Sequence, residues 1–127
     1  MDNCFRVIIA GGRDFTDYAL LEEKMDYFLS RVASPIVVVC GQARGADTLG
    51  EQYAKAKNYQ IAYYPADWSI GKAAGYIRNK KMAENADALV AFWDGKSRGT
   101  KHMIDLAKAK NLKIRVVSYH QNRGVIP

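Results

Sequence analysis

A chain of 127 residues, 49% of them hydrophobic, suffices for one compact domain with a proper core and leaves little room for a second. No stretch approaches the roughly 20 consecutive apolar residues of a membrane span, and the opening MDNCFRVIIAGG carries an acid where a signal peptide has a basic region. The expectation is a soluble, cytoplasmic protein without a membrane partner. A formal charge of +6 and a pI of about 9.4 permit a polyanionic partner, but the basic residues are scattered and suit a phosphate-bearing small molecule equally well.

In chain order, the apolar and mostly β-branched run FRVIIA at 5–10 reads as a buried strand. Leu20, Leu21, Met25, Phe28 and Leu29 then recur at helical spacing. IVVVC at 36–40 is a second strand, and Leu49, Tyr53, Ala54 and Ala56 mark the helix behind it. IAYY at 61–64 is a third strand, followed by a helix over 72–86; ALVAFW at 88–93 is a fourth, followed by a helix over 100–110. KIRVVSY at 113–119 is the last strand, with NRGVIP beyond it as a loosely held tail. Asn58 and Asn111 are candidate helix C-terminal caps. Strand and helix alternating over short connections require right-handed crossovers and a parallel sheet covered on both faces. The fold class is therefore α/β: a doubly wound, Rossmann-like sheet of five parallel strands, order 3-2-1-4-5. On that arrangement Cys4 and Cys40 lie about 16 Å apart at opposite ends of neighbouring strands and do not pair. No Cys/His spacing suggests zinc, and neither a metal nor a cofactor is expected.

Three strands run into glycine-bearing turns: GGRDF at 11–15, GQARGAD at 41–47 and DGKSRGT at 94–100. All three fall at the carboxyl edge of the sheet, where open parallel sheets bind ligands at the point of strand-order reversal. Glycine allows backbone N–H groups to approach an anion, and each following helix presents the positive end of its dipole. Arg13, Arg44 and Arg98 add one cation per turn. A phosphate or pyrophosphate is the natural occupant. The third glycine of G-x-G-x-x-G and the Lys-Ser/Thr of a P-loop are both missing, and a single glycine turn is ordinary βα geometry, so the convergence of three carries the signal.

The candidate ligand-binding residues are Gly11, Gly12, Arg13, Asp14 and Phe15 in the first turn, Gly41, Arg44, Gly45 and Asp47 in the second, and Asp94, Ser97, Arg98, Gly99 and Thr100 in the third. Thr100 either caps its own helix or offers its hydroxyl to a phosphate. Trp68 can stack on a base or pack on the third helix, and Arg78, Asn79 and Met82 share one face of that helix. Asp14 is the leading carboxylate for chemistry. Asp47 reads as a helix-terminal charge and His102 as a surface histidine.

Taken in order, VIIAGGRDFTD, GQARGADTLGEQYA, YYPADW, AGYIRNKKM and ALVAFWDGKSRGTKHMIDLAK resemble the YspA/cpYpsA-related SLOG family, the DUF2493 domain of bacteria and their phages. The resemblance covers nearly the whole chain and implies a Rossmann-like nucleotide-binding domain, related to LOG phosphoribohydrolases and to DprA. It implies a nucleotide-derived ligand such as an ADP-ribose relative, and a homo-oligomer paired through helices beside the site. The LOG motif R-K-x-x-M survives as RNKKM, with Arg78 and Met82 kept and Asn79 in place of the lysine; Met103 stands where the LOG glutamate drives N-glycosidic cleavage. The candidate catalytic residues are Arg78, which the resemblance implies, and Asp14, from its place after the first glycine pair. Three functions follow, in this order: a nucleotide-ligand binding or sensing domain, a nucleotide N-glycosidase, and a DNA-binding module. Nucleic acid ranks last because no recognition helix or RNA-binding aromatic motif is present.

Overall fold

The computed structural model describes residues 3–43 and 45–119. The element order is β1 (Phe5–Gly11), α1 (Tyr18–Leu29), β2 (Ile36–Cys40), α2 (Ala46–Ala56), β3 (Gln60–Tyr63), a 3₁₀ turn (Trp68–Ile70), α3 (Ala74–Glu84), β4 (Ala88–Trp93), α4 (Arg98–Ala109) and β5 (Lys113–Ser118). The five strands form one parallel sheet in the order β3-β2-β1-β4-β5. This is the doubly wound, Rossmann-like arrangement expected from the alternation of strand and helix.

Both faces of the sheet are covered, which explains the unbroken apolar runs of β2 and β4 and the run of β1 beyond Arg6. Val7, Ile9, Val38 and Val90 pack on one face with Leu21 and Met25 of α1 and Tyr53 of α2. Ile8, Val39, Leu89 and Ala91 pack on the other with Met82 of α3 and Met103, Ile104 and Ala107 of α4. The reversal of strand order falls between β1 and β4, paired from Val7↔Ala88 to Gly11↔Phe92. Three βα turns thereby gather at the carboxyl ends of β1, β2 and β4.

Two helix boundaries differ from the spacing estimate. Helix α3 starts at Ala74 rather than 72, because the 3₁₀ turn closes first and the Ala74 N–H donates to the Gly71 carbonyl at 3.1 Å. Its last residue is Glu84, with Asn85 as the C-cap. Helix α4 starts two residues early, at Arg98, because Ser97 is its N-cap and accepts from the Thr100 N–H. Asn58 and Asn111 each follow a helix C-cap with φ near +60°, the left-handed exit that asparagine tolerates. Strand β3 lies one residue earlier than expected. Cys4 and Cys40 are not joined by a disulfide. Among the described residues no helix is long and apolar enough to cross a membrane. The NRGVIP tail lies outside them.

Candidate functional site

The first two turns are locked together through their backbones. The Gly12 carbonyl accepts from the Phe15 N–H and from the Ala46 N–H, both at 3.2 Å, so the start of α2 is tied to the end of β1. Gly45 makes this possible. Its φ is +74°, and a Cβ there would run into the Gly12 carbonyl and the Arg13 backbone. Gly45 therefore serves the interlock of the two turns and does not line the cleft.

The third turn is built by its own side chains. Asp94 Oδ1 accepts from the N–H groups of Lys96 (2.8 Å) and Ser97 (3.0 Å), which holds its carboxyl below the usual range. The Trp93 indole N–H donates to the Ser97 carbonyl at 3.1 Å, pinning the turn to the end of β4. Thr100 is 3% exposed, and its hydroxyl lies 2.9 Å from the Ser97 hydroxyl. Ser97 thus caps α4, and Thr100 supports the cap. The Arg98 and Gly99 amides head the helix, where no intrahelical acceptor exists for them.

Between the three turns lies a cleft of about 630 Å³. Gly11, Gly12, Arg13 and Asp14 line one wall, and Asp94, Ser97, Arg98, Gly99 and Thr100 the other; Ala43, Arg78 and Lys96 complete it. A second lobe of about 470 Å³ shares Arg13, Ala43 and Arg78 with it and is otherwise lined by Gly41, Gln42, Pro65, Ala66 and Trp68. Arg78 stands at the junction. One Nη donates to the Gly41 carbonyl, and Nε donates to Asn79 Oδ1 at 2.9 Å.

Beneath Arg78 a small cavity of about 70 Å³ is bounded by Asp47, Asn79, Thr100, Met82 and Met103. Asp47 lies in the first turn of α2, as read from the sequence, but it is covered. It is 8% exposed and accepts from the Ala43 N–H at 3.1 Å. Burial raises its carboxyl pKa to about 6, against the opposing pull of that N–H and of the Arg78 charge. Asn79 faces two ways: its Oδ1 takes the Arg78 bond, and its Nδ2 lies 3.3 Å from His102 Nδ1. His102 is half-buried against the edge of the Tyr76 ring, with centroids 4.5 Å apart, and burial lowers its pKa. It is part of the support for Arg78 and not a free surface residue.

Phe15 is a correction. It is 2% exposed, stacked on Phe92 at 5.0 Å and edge-on to Tyr119 at 4.7 Å, so it anchors the first turn from below and does not reach the cleft. Arg44 lies outside the described residues. Lys96 and Tyr119 are additions. The Tyr119 hydroxyl donates to Asp14 Oδ1 at 3.3 Å, and burial, with the Asp14 charge, pushes its pKa up to about 12. Lys96 was visible in DGKSRGT; the reach of Tyr119 across from β5 had no sequence signal. Among the described residues no cluster of His, Cys, Asp and Glu could hold a metal ion.

Residues 5–71, which carry the first two turns and the Trp68 segment, match the model of the YspA, cpYpsA-related SLOG family. The chain belongs to this family. It is 34% identical over 121 residues to the Gene 61 protein of Mycobacterium phage D29, covering 90% of this chain and 95% of that one. Among solved structures, this SLOG chain resembles DNA processing protein A from Helicobacter pylori, described by its single-stranded DNA binding mode, with a TM-score of 0.66 and 20% identity over 94% of this chain and 67% of that one. It also resembles the structural genomics target TM1055, with a TM-score of 0.63 and 17% identity over 87% of this chain and 72% of that one. At such identities the likeness is one of fold.

Proposed function

We propose that this SLOG chain is a single ligand-binding or sensing domain that holds a phosphate-bearing, nucleotide-derived molecule, ADP-ribose-like in class, at the carboxyl edge of its sheet. One observation carries this reading: Arg13, Arg78, Lys96 and Arg98 surround a single cleft that also receives the N-terminus of α4. Asp14 and Asp94 share the cleft, the latter occupied by its own turn, and the four basic side chains outnumber them, so the charge presented to a ligand is predominantly positive. Glycine backbone on both walls lets amides come close to an anion. The test is mass spectrometry of small molecules that copurify with the protein, followed by calorimetric titration of AMP, ADP-ribose and ribose 5-phosphate. Binding that disappears in an Arg13→Ala, Arg98→Ala variant supports the reading; unaltered binding refutes this placement.

A second reading, nucleotide N-glycosidase, is favoured by the position of Asp14 on the wall of the cleft opposite α4. A carboxylate there could activate water or stabilise an oxocarbenium-like ribose while Arg78 holds the phosphate. Release of free base from a bound nucleotide separates this reading from the first.

A further inference from the structure

The two lobes of the cleft differ in chemistry. The first is lined by three glycines, four basic side chains and the head of α4. The second has one large aromatic surface, Trp68, set beside Pro65 and Ala66. Trp68 is 61% exposed, unusual for a residue that proteins bury on average.

The indole is nonetheless held in place. Asp67 caps the 3₁₀ turn, its Oδ1 accepting from the Ser69 N–H at 3.2 Å and the Ser69 hydroxyl at 2.5 Å. The Gly71 N–H closes the turn on the Trp68 carbonyl at 3.1 Å. On the α3 side the ring edge rests on Gly75, where a Cβ would lie 3.3 Å from Trp68 Cη2. A larger residue at 75 would crowd the ring. A rigid turn, a glycine seat and an open aromatic surface together describe a ring kept available.

We propose that Trp68 is the platform on which the base of the bound ligand stacks, with the sugar and phosphate passing Arg13 and Arg78 toward the α4 N-terminus. The proposal rests on the phosphate reading of the first lobe and adds the base subsite to it. Arg13, Ala43 and Arg78 belong to both lobes, so one molecule can occupy both without crossing protein. Both lobes lie within the roughly 300–1,000 Å³ range of small-molecule sites, at about 470 and 630 Å³. An indole face recognises any base through its π surface, so edge selectivity falls to Gln42, the side-chain amide lining the same lobe.

The experiment is calorimetry of AMP, ADP-ribose and ribose 5-phosphate with the wild-type chain, Trp68→Phe and Trp68→Ala. In the wild type, AMP and ADP-ribose should bind more tightly than ribose 5-phosphate. Trp68→Ala should weaken AMP roughly 5- to 150-fold, the range that loss of a base–aromatic stack produces, and leave ribose 5-phosphate unchanged. Trp68→Phe should retain most of the AMP affinity. Equal weakening of AMP and ribose 5-phosphate in Trp68→Ala, or no weakening of AMP, overturns the proposal. Ribose 5-phosphate binding as tightly as AMP to the wild type leaves the phosphate cleft standing and removes the base platform. If none of the three ligands binds, the phosphate reading fails and this inference with it. An oligothymidylate that binds through Trp68 where AMP does not would overturn the proposal in favour of a single-stranded nucleic acid.

Discussion

Replacing Asp47 by Asn should make the protein more stable at neutral pH, although the substitution deletes a charge beside an arginine. In the fold the carboxyl pKa is raised from 3.8 to about 6, with burial as the largest cause. A group whose folded pKa is raised contributes stability fully below its unfolded pKa and loses it as pH rises through the folded value. Below about pH 4 the acid is protonated in both states, and its ionisation then destabilises the fold progressively up to about pH 6. The shift from 3.8 to about 6 is roughly 2 units, or about 3 kcal/mol at 1.36 kcal/mol per unit. Asn, with its amide oxygen turned to the place of Asp47 Oδ2, can still accept the Ala43 N–H, bonded there at 3.1 Å, and gives up the attraction to Arg78. The expected gain is therefore ~1–3 kcal/mol at pH 8, vanishing near pH 4. Urea unfolding of both proteins at pH 4, 6 and 8 measures it. A variant less stable at pH 8, or a difference that does not change with pH, would refute the reasoning and make the Asp47–Arg78 pair a net stabiliser.

Three further outcomes follow from the site. Arg78→Ala should weaken an anionic ligand by ~1.5–3 kcal/mol and also lower the melting temperature, because the Gly41 carbonyl and Asn79 lose their donors; calorimetry and thermal melts report the two effects separately. His102 Nδ1 can accept from Asn79 Nδ2 only while unprotonated, so ligand affinity should fall as pH drops through the lowered pKa of His102, and His102→Gln should flatten that profile in titrations between pH 5 and 7.5. Should free base be released from any nucleotide, Asp14→Asn should abolish the release and leave affinity nearly intact, as chromatography of the reaction mixture would show; release that persists assigns the carboxylate elsewhere.

The strands and their order were legible because central strands of a parallel sheet are buried on both faces and announce themselves as apolar runs such as IVVVC and ALVAFW. The gathering of the three turns followed from that order alone. What the sequence could not show is which way a side chain near a turn faces. Phe15 sits beside Asp14, yet one enters the core and the other the cleft. Asp47 occupies the first turn of α2, ordinarily an exposed place for an acid, and is covered because Arg78, 31 positions later, reaches over to the Gly41 carbonyl. His102 looks solitary in sequence and gains its meaning from Asn79 and Tyr76 of α3, across the contact between α3 and α4. Each of these depends on a tertiary contact for which local spacing carries no signal.

The floor beneath Arg78 bears on the choice between holding a nucleotide and cleaving it. The resemblance to the LOG enzymes puts a glutamate at position 103, nearly two helical turns beyond the Ser97 cap of α4. Here Met103 is 2% exposed, packs with Met82 and Leu89, and bounds the small cavity next to Arg78 and Thr100. A carboxylate at that place would need a hydrogen-bond donor or a cation to offset its burial, and Arg78 already gives its Nε and one Nη to Asn79 and Gly41. The remaining acids around the cleft have other duties: Asp94 orders its own turn, and Asp47 accepts from Ala43 in the interior. Asp14, on the wall opposite Asp94, takes no part in ordering the third turn, and it accepts from the Tyr119 hydroxyl. A cleft ringed by four basic side chains, with Arg78 held by Gly41 and Asn79 and a methionine where a carboxylate would be needed, is equipped to retain a phosphate. Cleavage would have to be carried by Asp14 from the opposite wall, and this makes Asp14→Asn the substitution on which the two readings divide.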